Sequence, residues 1–388
     1  MKDWTKKALL FTAFFAVIFW VYYITSPGNT PYNYFVYLAD GFAHGRYWIT
    51  DYPTWLNELI PWEAGRYYSV NPPAPAILLT PAVWLFGIDF PQQYLAHLLG
   101  ALASIVVGII ALKATGKKSV AIWSILMTAF GTVLFYLSSV GSVWFLGQVS
   151  GFAFGMLALF ECTGKKRVWL AGLFIAFAIL SRQQTLFALP LYIYLLREEL
   201  TETKKIFLFS ASLAPAIVGI PFYNYLRFGN PLETGYRFIP GLLEEPWFQK
   251  GIFHYSYIPN HLKIMFTALP KMIDHWPYFI PSWGGMAIWA TTPAFVYALW
   301  APIKNNVVKM LWFTIPMIGL VNFCFGSTGF TQFGYRYAVD FYPFLVMLVI
   351  LGVSRTGLKW HHWVLLVLGI IVNIWGVLGN NIYHWANW

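Results

Sequence analysis

The sequence predicts an all-α polytopic membrane protein of about eleven transmembrane helices, with re-entrant or juxtamembrane helices between some of them. Three observations carry that prediction. Of the 388 residues, 59% are hydrophobic and 10% are charged, with a mean hydropathy of +0.59, against about 45–50% apolar and about 25% charged in a soluble domain. Apolar runs near the length of about 20 residues that crosses a hydrocarbon core recur along the chain. The segments between them alternate between short and basic, and long, aromatic and polar.

The first span is Ala8–Thr25, preceded by Lys2, Lys6 and Lys7 and followed by no small-residue cleavage site, which reads as a retained helix. Further spans fall at about 92–112, 119–137, 143–161, 168–197, 206–222, 285–302, 308–325, 338–353 and 361–378. Placing every short basic loop (Lys113/Lys117/Lys118, Lys165–Arg167, Lys204/Lys205, Lys304/Lys309, Arg355/Lys359) in the cytoplasm obeys the positive-inside rule throughout. The cytoplasmic set then carries an excess of +11 and the remainder −1, which together make the chain's +10. The positive charge is therefore topological, and a nucleic-acid partner is not called for. Cys162 and Cys324 form neither a CxxC nor a metal-ligand spacing.

That orientation makes two segments irregular. The stretch 73–86 is short, is broken by Pro75 and Pro81, and suits an interfacial or re-entrant helix. Segment 168–197 lies between two cytoplasmic loops, so it must rise and return, turning at Ser181-Arg182-Gln183-Gln184-Thr185 inside the membrane. Irregular backbone at that depth must be buried in protein or line a wet cavity. The amino terminus is expected inside, the carboxyl terminus outside, and residues 1–388 form one transmembrane domain with external loops 26–91 and 223–284.

Candidate chemistry gathers on the external side. Asp40 stands on an apolar juxtamembrane helix, where a carboxylate suits a general base; pairing with Arg46 is the plain alternative. Asp51, Glu58 and Glu63 follow in the same loop and read individually as solvated charges, and Asn71-Pro72-Pro73 opens the next helix. Arg182 is a cation at membrane depth, expensive unless paired, and its planar fork matches phosphate; the alternative is that it ties down the broken helix. Asn224, Glu233, Tyr335 and Arg336 lie at outer helix ends, with Arg336 and Asp340 spaced for an intrahelical pair. The external histidines lack ligand spacing, and no nucleotide-binding or soluble-hydrolase motif occurs in a suitable context.

Together these residues resemble the GT-C superfamily of membrane glycosyltransferases, most of all its protein-mannosyltransferase-like and aminoarabinose-transferase-like branch. Asp40 stands where that branch carries an acid after the first span. Asn71-Pro72-Pro73 matches its Pro-Pro helix start, and Gly172 through Arg182 and Thr185 its Gly-rich helix and basic turn. Asn224–Pro231 and Phe333–Tyr337 match two later runs at outer helix ends. The chain departs from the branch in having Gly41 where an Asp-Glu pair is common, and Asn71 where a basic residue is common.

The resemblance implies a GT-C-like fold and transfer of a sugar from a polyprenyl-phosphate donor to a glycan, lipid or protein acceptor. The site would face outward from the plasma membrane. It implies Asp40 as base, Arg182 and Arg336 as donor-phosphate ligands, and Arg46, Glu63, Asn71, Asn224, Glu233 and Tyr335 as substrate contacts. Membrane lipid is a further partner. The resemblance fixes no cofactor and leaves a divalent metal open. The competing classes are a lipid or sugar transporter or flippase without transferase chemistry, and a membrane scaffold.

The orientation is tested by impermeant thiol labelling of intact cells, measured against the unsubstituted chain with its own Cys162 and Cys324. His44→Cys should label, and Lys165→Cys only after permeabilisation. Labelling of position 165 in sealed cells would overturn the assignment of sides.

Overall fold

The computed structural model describes residues 2–50, 53 and 55–385; Asp51 lies outside them. Long helices alternate with short ones. In chain order the elements are α1 Lys2–Ile24, α2 Tyr34–Ala43, β1 Leu59–Trp62, β2 Arg66–Ser69, α3 Ala74–Phe86, α4 Gln93–Thr115, α5 Lys118–Phe130, α6 Leu134–Val140 and α7 Val143–Thr163. There follow α8 Val168–Ser181, α9 Leu189–Leu196, α10 Thr203–Ile217, α11 Gly219–Phe228, α12 Ile258–Thr267, β3 Lys271–Met272, β4 Phe279–Ile280 and α13 Ile288–Thr291. α14 Asn306–Phe323, α15 Tyr342–Thr356 and α16 Trp360–Asn381 complete the bundle. The only sheets among the described residues are two antiparallel hairpins, β1–β2 and β3–β4, one in each of the long loops 26–91 and 223–284.

Six helices among the described residues are long and apolar enough to span a membrane, or seven if the α5–α6 pair, bent by 54°, is one span. That is fewer than the eleven crossings expected from the sequence. The expected span 285–302 is the short α13 followed by a 3₁₀ segment, Pro293–Trp300. Pro293 has no N–H to continue the α13 ladder. Segment 73–86 is the helix α3, opened by proline in its first turn and ended at Gly87, whose φ is 80°.

Contacts at the two ends of the bundle group the loops as the charge pattern does. At one end the Lys113 ammonium lies 3.9 Å from the Phe160 ring, and Lys166 pairs with Glu198 at 3.1 Å. The Lys166–Glu198 pair joins the residues flanking 168–197, so this segment does rise and return. At the other end Gln92 donates to the Gly141 carbonyl (2.8 Å), Gln93 to Asn29 (2.9 Å) and Asn381 to the Thr25 carbonyl (2.9 Å).

α7 is a deeply buried span that α4 and α8 pack against. Gly147, Gly151 and Gly155 recur every four residues along it, a small-residue face that lets neighbours approach closely. A Cβ at Gly151 would stand 2.9 Å from Arg182 Cγ, and one at Gly155 3.0 Å from Pro343 Cγ. Those two glycines set how closely the turn of 168–197 and the start of α15 pack on α7.

Candidate active site

At the turn of 168–197, α8 ends at Ser181 and the chain continues as a 3₁₀ segment, Gln183–Ala188. Arg182 is thereby delivered into the bundle, where an unpaired charge would be costly. Asp340, whose side chain is fully buried, meets it bidentately: Arg182 Nε donates to Oδ1 and Nη2 to Oδ2, each at 2.8 Å. Gln184 Nε2 and Asn322 Nδ2 (2.9 Å) also donate to Asp340 Oδ2. Asn322 Nδ2 reaches the Tyr337 carbonyl too, at 3.0 Å. This network joins the turn, the end of α14 and the 3₁₀ segment Arg336–Phe341.

The Arg336–Asp340 pair, the plain alternative that their spacing offers, does not form. Residues 336–341 are 3₁₀ and not α; at three residues per turn, positions four apart face about 120° from one another. Arg336 instead points into a cavity of about 530 Å³ at the end of the bundle opposite the basic loops. Its residue surface is 7% exposed, its Nε is buried without a hydrogen-bond partner, and it has no carboxylate partner among the described residues. Its guanidinium carbon lies 4.8 Å from the Tyr337 ring centre and 5.7 Å from that of Phe145. Its backbone is held by Gln148, which donates to the Arg336 carbonyl at 2.9 Å. The guanidinium is fixed in place while much of its donor capacity is left unused.

Two carboxylates line the same cavity, Glu58 and Glu245. The Glu58 stretch is anchored through Tyr34, whose hydroxyl accepts from the Glu58 backbone N–H (3.0 Å) and bonds Asn57 (3.3 Å). Trp144 Nε1 donates to both Glu58 oxygens, at 3.1 and 3.0 Å. Burial raises the Glu58 carboxyl to about 7, outweighing the Trp144 bond and the Arg336 charge, and Glu245 adds to the rise. Trp247 and Phe330 form an aromatic wall, their ring centres 4.5 Å apart, and Trp283 stacks on Phe330 at 4.1 Å.

Of the site residues expected from the sequence, the cavity gathers Arg182, Arg336 and Asn71. Asp40 is not part of its lining: it is paired with Arg46 at 3.1 Å and with His44 at 3.3 Å, the plainer reading of its sequence context. Glu63 is exposed in a turn between β1 and β2. Tyr335 is fully buried with its hydroxyl on His261 Nδ1 (2.7 Å), so it fixes the backbone before Arg336 and leaves the lining to Tyr337. Burial pulls His261 down to about 4, so it is neutral there. Asn224 accepts from Arg227 Nη2 (2.6 Å), which also donates through Nη1 to the Ser69 carbonyl, tying α11 to β2. Glu233 accepts from the Gly235 N–H and pairs with Arg237.

Sequence reasoning missed Asn322, Glu245 and the aromatic wall, which come from segments far apart in the chain. Gln184, beside Arg182 in a turn already marked as irregular, was within reach of it. Among the described residues no three His, Cys, Asp or Glu side chains are grouped so as to hold a metal ion.

The Arg182–Asp340 pair should behave as architecture. Asp340→Asn leaves a buried guanidinium uncompensated and should lower the melting temperature of the purified protein by an amount equivalent to about 3–5 kcal/mol. The double variant Arg182→Gln/Asp340→Asn should recover part of that loss, because neither charge remains. A double variant no better than the single would contradict this role.

No protein-family model matches the sequence, and no curated protein matches it. Two solved structures match the fold. They are ArnT from Cupriavidus metallidurans bound to undecaprenyl phosphate (TM-score 0.54, 15% identity, covering 97% of this chain and 65% of that one) and the same protein in the apo state (TM-score 0.56, 15% identity, 100% and 66%). The chain thus spans about two thirds of the length of the ArnT structures. Over essentially all of its own length, the chain shares the fold of the ArnT membrane proteins.

Proposed function

We propose that the chain is a membrane glycosyltransferase, probing the outer leaflet for a polyprenyl-phosphate-linked sugar and moving that sugar to an acceptor on the extracytoplasmic side. The observation that carries this reading is Arg336: a buried, fixed guanidinium without a carboxylate partner among the described residues, facing a cavity beneath the external loops. A donor whose lipid lies in the bilayer presents its phosphate at that level. The guanidinium fork is suited to two phosphate oxygens and stabilises the charge that grows on the lipid phosphate as the sugar leaves. Asn71 lines the same cavity and can add a neutral hydrogen bond, and Trp247 and Phe330 offer faces against which a sugar ring can lie. The fold shared with ArnT, one structure of which is bound to undecaprenyl phosphate, supports the same reading.

In this reading Arg182 acts on the donor only indirectly, because Asp340 already satisfies its charge. A single in-line displacement would invert the anomeric carbon. A flippase would also need a cation at this depth, but it would move the lipid without releasing its sugar, so assays of transfer and of flux on the same vesicles separate the two.

The test is binding of undecaprenyl phosphate to purified protein in nanodiscs. Arg336→Gln should weaken it by about 1.5–3 kcal/mol, the range for a charge-assisted hydrogen bond, or roughly 10- to 150-fold. Arg336→Lys should restore only part, since an ammonium offers no fork. Unchanged affinity in a well-folded Arg336→Gln protein would remove Arg336 from the site and the main support from the proposal.

A further inference from the structure

We infer that Glu58 is the proton acceptor of the transfer step, taking the proton of the acceptor hydroxyl while Arg336 receives the departing lipid phosphate. The inference rests on the reading of the chain as a lipid-phosphate sugar transferase and assigns a group that the external-loop pattern left as one charge among several. Its first support is place. Glu58 and Arg336 line one cavity from different elements, the loop before β1 and the segment after α14, so a sugar held between them meets a carboxylate and a cation.

The second support is restraint. Trp144 Nε1 bonds both carboxyl oxygens, and the Tyr34 hydroxyl holds the backbone N–H, so the carboxyl is aimed by two aromatic side chains. Trp144 is itself packed against Tyr32, with ring centres 4.8 Å apart. The third is the surrounding charge. The groups that face Glu58 are Arg336 and Trp144, which favour the carboxylate, and Glu245, which disfavours it; Tyr236 is a further ionisable neighbour. Burial is the largest influence, and the carboxyl titrates at about 7, where a general base is most effective. Asp40 lacks the first of these supports, since it is paired with Arg46 and does not line the cavity.

The step balances without a co-reactant. The acceptor O–H proton passes to the Glu58 carboxylate, and the acceptor oxygen bonds the anomeric carbon. The bond from that carbon to the phosphate oxygen breaks, and its electron pair leaves with the lipid phosphate, which Arg336 pairs. Glu58 then returns its proton to water through the cavity.

The experiment uses the full chain in nanodiscs and a panel of undecaprenyl-phosphate hexoses and pentoses with soluble glycan and lipid acceptors. It reads sugar transfer and, separately, undecaprenyl phosphate affinity. Glu58→Gln keeps an acceptor for Trp144 but cannot take a proton. Transfer should fall by about 10²–10⁴-fold, with lipid-phosphate affinity retained. The unsubstituted protein provides a measure that needs no variant: its transfer rate should climb as pH rises through about 7, because only the ionised carboxylate accepts a proton. Near-normal transfer in Glu58→Gln, or a flat pH profile in the unsubstituted chain, would overturn the inference and leave the transferase reading intact. So would loss of transfer in Asp40→Asn with retention in Glu58→Gln. If the unsubstituted protein binds the lipid phosphate but transfers none of the sugars, the transferase reading itself fails and takes this inference with it.

Discussion

The structure depends on how one buried charge is compensated. The apex of 168–197 carries Arg182 into an apolar bundle, and only a buried acid with additional hydrogen bonds makes that tolerable. Asp340 is that acid, and Gln184 and Asn322 complete its shell. Three segments distant in the chain are thereby fixed to one another, and the close approach of Arg182 to Gly151 fixes them to α7. With Asp340 committed, Arg336 four residues earlier is left without an acid. The proposed phosphate site is in this sense a consequence of the architectural pair.

The division of labour between two arginines also accounts for the character of the cavity. Around Arg182 the polar groups are matched to one another. Around Arg336 the neighbours are aromatic faces, and Gln148 holds its own backbone carbonyl, so the side chain is kept in position while Nε has no partner. Glu58 lines the same cavity, its carboxyl raised by burial to about 7. A site with a fixed cation at one wall and a titratable acid at another can separate the charges of a displacement without importing them from water.

Much of this was legible in the sequence, and the parts that were not have physical causes. Loop charge alone grouped the two ends of the bundle as the contacts do, because positive loops are local in sequence. It also required 168–197 to return, and the Lys166–Glu198 pair bears that out. Arg182 as a functional hypothesis and as a structural one could not be separated, since the deciding group, Asp340, is 158 residues away. The spacing of Arg336 and Asp340 suits a pair on an α-helix, and a 3₁₀ segment stands there instead. In sequence Glu58 reads as a solvated charge because its partner Trp144 belongs to another span, and the hydroxyl bond that ties Tyr335 to His261 is invisible there. Regular spans are written in composition; irregular segments, which make the site, are written in long-range pairs.

The most direct test is an experimental structure of the protein with undecaprenyl phosphate bound. The phosphate should lie within hydrogen-bonding distance of the Arg336 guanidinium, with the Arg182–Asp340 pair unchanged beside it. A phosphate seated on Arg182 with Asp340 released, or one that touches neither arginine, would contradict this placement.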